Sequence, residues 1–92
     1  MHELNSFLKE VIEHYTPVHQ LDIAIEEMSE LTKEICKYKR GFDNRESIIE
    51  EIADVIIMME QLRVIFDVED DDLKKYIDFK FKRLIENMEI EE

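Results

Sequence analysis

Apolar residues recur at three- and four-residue intervals along most of the chain and resolve into four stripes. Leu4, Phe7, Leu8, Val11, Ile12 and Tyr15 form the first and predict a helix over about residues 2–15. Thr16-Pro17 then reads as an N-cap followed by Pro at the first helical position. The second helix runs from there to about Tyr38 or Lys39, with the stripe Ala24, Met28, Leu31 and Ile35. Its basic end, Lys37, Lys39 and Arg40, suits the negative pole of the helix dipole. Gly41 is the natural place for a turn, because glycine tolerates the left-handed conformation that ends helices. Asp43 with Glu46 resembles a capping box that opens a third helix, which runs to about Phe66 on the stripe Ile48, Ile52, Val55, Met59 and Leu62. The acidic connection 67–72 suits the start of a fourth helix over about residues 70–88, with Leu73, Ile77, Phe81, Leu84 and Met88 on one face.

The third helix departs from simple amphipathicity. Beside its stripe it carries Ile49, Ile56, Ile57, Met58, Val64 and Ile65, so it is apolar nearly all round. Such a helix is buried on most sides, and four helices in a chain of 92 residues can hardly cover it. A second subunit is the expected cover. The pattern therefore predicts one all-α domain over residues 1–92, a four-helix bundle assembled as a dimer or a dimer of dimers, with Ile56, Ile57 or Val64 in the interface.

Composition narrows the partners. A formal charge of −12 argues against direct binding to a nucleic-acid backbone, which needs a basic surface. It leaves open an anionic nucleotide whose charge is met by metal ions. The single cysteine, Cys36, allows no intramolecular disulfide and reads as a small apolar filler in a reducing compartment. The start of the chain has no basic-then-apolar leader, and its longest apolar run, Val55 to Met59, is too short to cross a bilayer. A cytoplasmic protein without membrane association is expected.

Two short stretches carry the candidate chemistry, Glu26-Glu27-Met28-Ser29-Glu30 and Glu50-Glu51-Ile52-Ala53-Asp54. Each sets two carboxylates three residues apart, on successive turns of one helix face. At about 100° per residue, Glu27 and Glu51 fall roughly 60° to one side of their stripes, and Glu30 and Asp54 about 120° to that side. Glu27 and Asp54 are equidistant from the Arg40-Gly41 junction, and so are Glu30 and Glu51. An antiparallel hairpin would bring all four to one height on one side. Glu10/Glu13 and Glu86/Glu89 share the spacing but lie opposite their stripes, and read as solvated faces. The inner four border the core, where clustered like charges are costly unless protonated or met by cations.

Several site classes are not signalled. His2, His14 and His19 stand in no H-E-x-x-H arrangement, and none follows a Glu by three residues, against both a zincin and a ferritin-like di-iron centre. One glycine cannot build a phosphate-cradling loop. Four oxygen ligands without a soft ligand suit Mg²⁺ or Mn²⁺, which commonly go on to bind substrate phosphates. Lys80 and Arg83 share the carboxylates' angular offset on the fourth helix, and Lys37 lies two turns beyond Glu30 on the same face. All three are candidate phosphate ligands, as Lys and Arg donors commonly are.

Taken together, E-E-x-x-E, E-E-x-x-D about twenty residues later, Gln20-Leu21 before the first motif and Lys37-Tyr38-Lys39-Arg40-Gly41 after it resemble the MazG-like superfamily of all-α nucleoside triphosphate pyrophosphohydrolases. The likeness is to its small single-domain bacterial and phage members and covers roughly residues 16 to 85. It implies a dimeric helical bundle that hydrolyses a nucleoside triphosphate to monophosphate and pyrophosphate, a house-cleaning of the nucleotide pool. It also implies that Glu27, Glu30, Glu51 and Asp54 hold Mg²⁺, with Mn²⁺ able to substitute, and that Glu30 or Glu51 doubles as general base. Relatives that select a base use aromatic or His side chains near the start of the second helix, where Tyr15, His19 and Gln20 stand here. The reading from a different class is a catalytically silent interaction module, or a sensor of nucleotide or metal, that keeps the acidic site without turnover.

Overall fold

The computed structural model describes residues 2–91. It comprises four α-helices, α1 (His2–Tyr15), α2 (Pro17–Lys39), α3 (Arg45–Ile65) and α4 (Asp70–Glu91), with no strand among the described residues. The all-helical expectation holds, and the boundaries fall within a few residues of those the apolar spacing implies.

Local chemistry accounts for the corners. Thr16 caps α2, its Oγ1 accepting from the His19 backbone N–H at 3.3 Å, and Pro17 takes the first helical position. Thr16 itself sits at φ 79°, ψ 148°, a region that normally favours glycine and costs about 1–3 kcal/mol. α2 ends in a Schellman motif: Phe42 N–H donates to the Lys37 carbonyl, Gly41 N–H donates to the Tyr38 carbonyl, and Gly41 takes φ 98°. The expected Asp43/Glu46 capping box does not form. Asn44 is the N-cap of α3 and makes no side-chain capping bond. Its Nδ2 instead donates back across the turn to Glu34, to the backbone carbonyl at 2.9 Å and to Oε2 at 2.6 Å.

α2 and α3 pair antiparallel along their length, and α1 lies across both. Among the described residues the buried apolar ones are Leu8 and Ile12 of α1, Ala24 of α2 and Met58 of α3. Leu4, Phe7 and Tyr15, expected on the core face of α1, are exposed. The stripes predicted for α2 and α3 are turned only partly out of the seam, with Ala24 buried and Leu31, Ile48, Val55 and Leu62 half-buried. Met28, Ile35, Ile52 and Met59 are exposed, while Ala24, Glu27, Leu31 and Glu34 of α2 face Glu51, Val55, Met58 and Gln61 of α3. Within one chain the two helices thus meet on a mixed polar face and leave much of their apolar faces uncovered. Cys36, expected as a filler, is exposed as well.

α4 does not join a four-helix bundle within one chain. It packs against none of the other three helices, and Leu73 is its one half-buried side chain among the described residues. A second Schellman motif ends α3, with Val68 N–H on the Arg63 carbonyl and Asp67 at φ 53°, and the chain departs from there. Arg63 holds the corner by pairing with Glu60 and Asp70. Its stripe residues Ile77, Phe81, Leu84 and Met88 are exposed. The radius of gyration is 16.5 Å, against about 12 Å for a compact chain of this length.

Candidate functional site

The candidate site lies in the α2–α3 seam. Glu27, Glu51 and Asp54 each offer a carboxylate oxygen, and these oxygens lie within 4.8 Å of one another. Glu27 and Glu51 are half-buried and Asp54 is exposed, so the cluster opens to solvent on one side. Because the hairpin is rotated from its apolar stripes, Glu27 and Glu51 face the seam directly instead of flanking it.

Burial raises the pKa of Glu27, and the charge of Asp54, a hydrogen bond with it and the charge of Glu51 push the same way. Burial also raises Glu51, followed by the charges of Asp54 and Glu30, while a hydrogen bond from Glu27 opposes them. Carboxylates this close disfavour simultaneous ionisation, so a proton or a cation must be shared among them. Oε2 of Glu51 is buried without a partner. An unsatisfied carboxylate oxygen beside two other hard oxygen donors fits Mg²⁺ or Mn²⁺ and gives no place to a soft ion.

Glu30, the fourth expected ligand, stands outside this group and is exposed, although its charge is felt at Glu51. Lys37 is half-buried and paired with Glu34 at 3.5 Å. Lys80 and Arg83 are on α4, away from the α2–α3 seam of their own chain. The expectation that they face the same cleft is not met within one chain, because α4 does not fold back.

The two base-contacting candidates have other partners. Gln20 is 4% exposed, and its Nε2 donates to Oε1 of Gln61, itself 3% exposed, at 2.8 Å. Oε1 of Gln20 meets Nδ1 of His19 at 2.8 Å, and Gln61 Nε2 donates to Sδ of Met58 at 3.4 Å. His19 stacks on Tyr15 with ring centroids 5.3 Å apart. His19 therefore keeps an exposed edge, whereas the Gln20 amide is consumed in the seam.

Three residues escaped the sequence reading. Glu34 lies one turn beyond Glu30 and continues the same face. Its pKa is lowered, first by the Asn44 amide, with burial opposing and Lys37 assisting. Gln61 could have been found: it is as far from the Arg40-Gly41 junction as Gln20 is. Asn44 carried no comparable signal. Among the described residues no helix is long and apolar enough to cross a membrane. Compared with protein-family models, with curated proteins and with solved structures, the chain finds no significant match.

Proposed function

We propose that the protein hydrolyses a nucleoside triphosphate to monophosphate and pyrophosphate in a Mg²⁺-dependent reaction, as its likeness to MazG-like pyrophosphohydrolases implies. The observation that carries this reading is the seam cluster of Glu27, Glu51 and Asp54, with its converging oxygens and one buried oxygen left unpartnered. A chain charge of −12 repels a triphosphate unless cations intervene. Glu27, Glu51 and Asp54 would hold the metal, joined by Glu30 through a change of rotamer. When bound, the ions neutralise phosphate oxygens and lower the pKa of water enough to make it a nucleophile at neutral pH.

The chain's own residues supply the rest. Glu30 or Glu51 accepts the proton of the attacking water. Lys37, steadied by Glu34, offers a point charge at the loop end of the seam. His19 and Tyr15 offer a stacked edge for a base. Lys80 and Arg83 reach the phosphates only where assembly brings an α4 against an α2–α3 hairpin.

That assembly is part of the proposal, as a homodimer or homotetramer. The chain exposes 7834 Å², while a compact monomer of 11.2 kDa exposes about 5,700 Å². The excess, roughly 2,100 Å² per chain, is of the size that obligate dimers bury. It is concentrated where apolar stripes lie bare, at Met28, Ile35, Ile52 and Met59 of the hairpin and along α4.

The test is a panel of nucleoside triphosphates with Mg²⁺ or Mn²⁺, reading pyrophosphate and monophosphate. Turnover that vanishes in EDTA and in Glu51→Gln, with helical content retained, is expected. Full activity in EDTA, or no pyrophosphate from any member of the panel, would sink the proposal.

A further inference from the structure

The apolar pattern and the observed seam of α2 and α3 disagree, and something must hold the seam against that pattern. Apolar burial alone would roll each helix until Met28, Ile35, Ile52 and Met59 faced inward. Such a roll, by the roughly 60° that separates the carboxylates from their stripes, would swing Glu27 and Glu51 out of the seam. Repulsion among the carboxylates pushes the same way whenever no cation is present. Two amide contacts oppose the roll, one toward each end of the hairpin. At the loop end Asn44 reaches back to Glu34. At the open end, far from the restraint of the turn, Gln20 and Gln61, both buried, bond each other.

The Gln20–Gln61 bond is placed for this task. Gln20 lies two turns before Glu27 on α2 and Gln61 two turns after Asp54 on α3, so each glutamine shares its helix face with one member of the cluster. Any roll or slip separates the two amides where both are buried, and unpaired buried amides are heavily penalised. Apolar contacts are tolerant of such motion because a sliding side chain finds another apolar neighbour; a hydrogen bond is not. His19 at one end and Met58 at the other complete the run of polar contacts and fix the orientation of both amides.

We propose that Gln20 and Gln61 are positioning residues that set the rotation of α2 against α3 and thereby assemble the carboxylate site. They touch neither substrate nor metal. The proposal rests on the metal-binding reading for its consequence, but not for its geometry.

The test replaces both amides with residues of matching shape, Gln20→Met/Gln61→Met, in full-length protein. If this pair does not fold, Gln20→Leu/Gln61→Leu takes its place. Removing both partners together leaves no orphaned amide, so the melting temperature should hold or rise. Mn²⁺ affinity, measured by electron paramagnetic resonance of the free ion, should fall about tenfold or more, as when outer partners of a metal site are lost. Spin labels at Asp22→Cys and Ser47→Cys in a Cys36→Ser background, diluted into unlabelled protein, should give one distance in the parent. A second distance should appear in the variant, strongest in EDTA. Wild-type Mn²⁺ affinity in the variant, whatever the distances, overturns the positioning role. If the parent itself binds no Mn²⁺, the metal reading fails, and the label distances in EDTA then decide the rotation alone: a single unchanged distance overturns it.

Discussion

α3 treats its two sequence neighbours differently, although the same motif ends the helix that enters each corner. After α2 the chain turns through Gly41 and folds back, so that α2 and α3 run together. After α3 it turns through Asp67, and α4 leaves without packing on any other helix. The helix that packs does so on a mixed face, with Gln20, Glu27 and Glu34 beside Ala24 and Leu31. The helix that does not pack carries an intact apolar stripe. Intrachain contacts here bury a small apolar core together with polar groups, and much of the apolar surface stays exposed within one chain.

The largest expected effect breaks the α4 side of this contrast. If a second copy covers α4, Phe81→Ser with Leu84→Ser should abolish assembly in sedimentation equilibrium. Burying such side chains contributes about 1.5–3 kcal/mol each, and about 1 kcal/mol moves the melting temperature of a domain this size by 4–8 °C. A drop well beyond 10 °C is therefore expected, by roughly that arithmetic. A wild-type protein that is already monomeric, with a variant that melts unchanged, would show α4 to be an independent helix.

The next effect lies in the polar seam and depends on pH. Glu27 and Glu51 have raised pKa values in the fold, so the folded state holds protons that the unfolded chain releases. Stability without metal should then decline as pH rises through the ordinary carboxylate range and into the raised range above it. Glu34 acts oppositely, because its lowered pKa adds stability above the ordinary range that is lost on acidification. Urea unfolding in EDTA across pH should show the decline, and Glu51→Gln should flatten it and raise the neutral melting temperature by a few degrees. Saturating Mg²⁺ should cancel the decline in the parent by binding the folded state alone. A parent profile that is flat, or that rises through neutrality, would contradict the repulsion.

These two tests also mark what was legible in the chain. Helix existence and bounds followed from apolar spacing, because local periodicity is a property of sequence alone. The antiparallel register followed from the placement of Glu27 with Asp54 about the turn, and the Gln20–Gln61 bond obeys the same symmetry. Helix rotation did not follow. Stripes show which face is apolar, not which partner it meets, and here Met28 and Met59 are exposed while Ala24 of the stripe and Met58 outside it are buried. The position of α4 escaped for the same reason, and with it the supposed convergence of Lys80 and Arg83. Glu30 was grouped with the other three by angle, yet a side chain at the rim can point to solvent where a seam residue cannot.

The smallest effect compares the two corners directly. Gly41 at φ 98° has nothing within 4 Å of where a Cβ would stand, so Gly41→Ala meets only the conformational penalty of a left-handed residue. That costs about 1 kcal/mol. Asp67 at φ 53° already bears this penalty in milder form, since Asp tolerates the conformation better than most. It also places a negative charge at the negative pole of α3, which costs about 0.3–1 kcal/mol. Asp67→Gly removes both and should stabilise the protein by roughly 0.5–1 kcal/mol, offset in part by the freer unfolded chain. Asp67→Asn keeps a tolerant side chain and removes only the charge, so its gain should be smaller. The expected order in urea midpoints is Asp67→Gly, then Asp67→Asn, then the parent, with Gly41→Ala below it. Since neither change at position 67 touches the α4 stripe, both should leave assembly as it is. An Asp67→Gly protein that loses stability would mean that the Asp67 side chain, and not its backbone, directs the chain into α4.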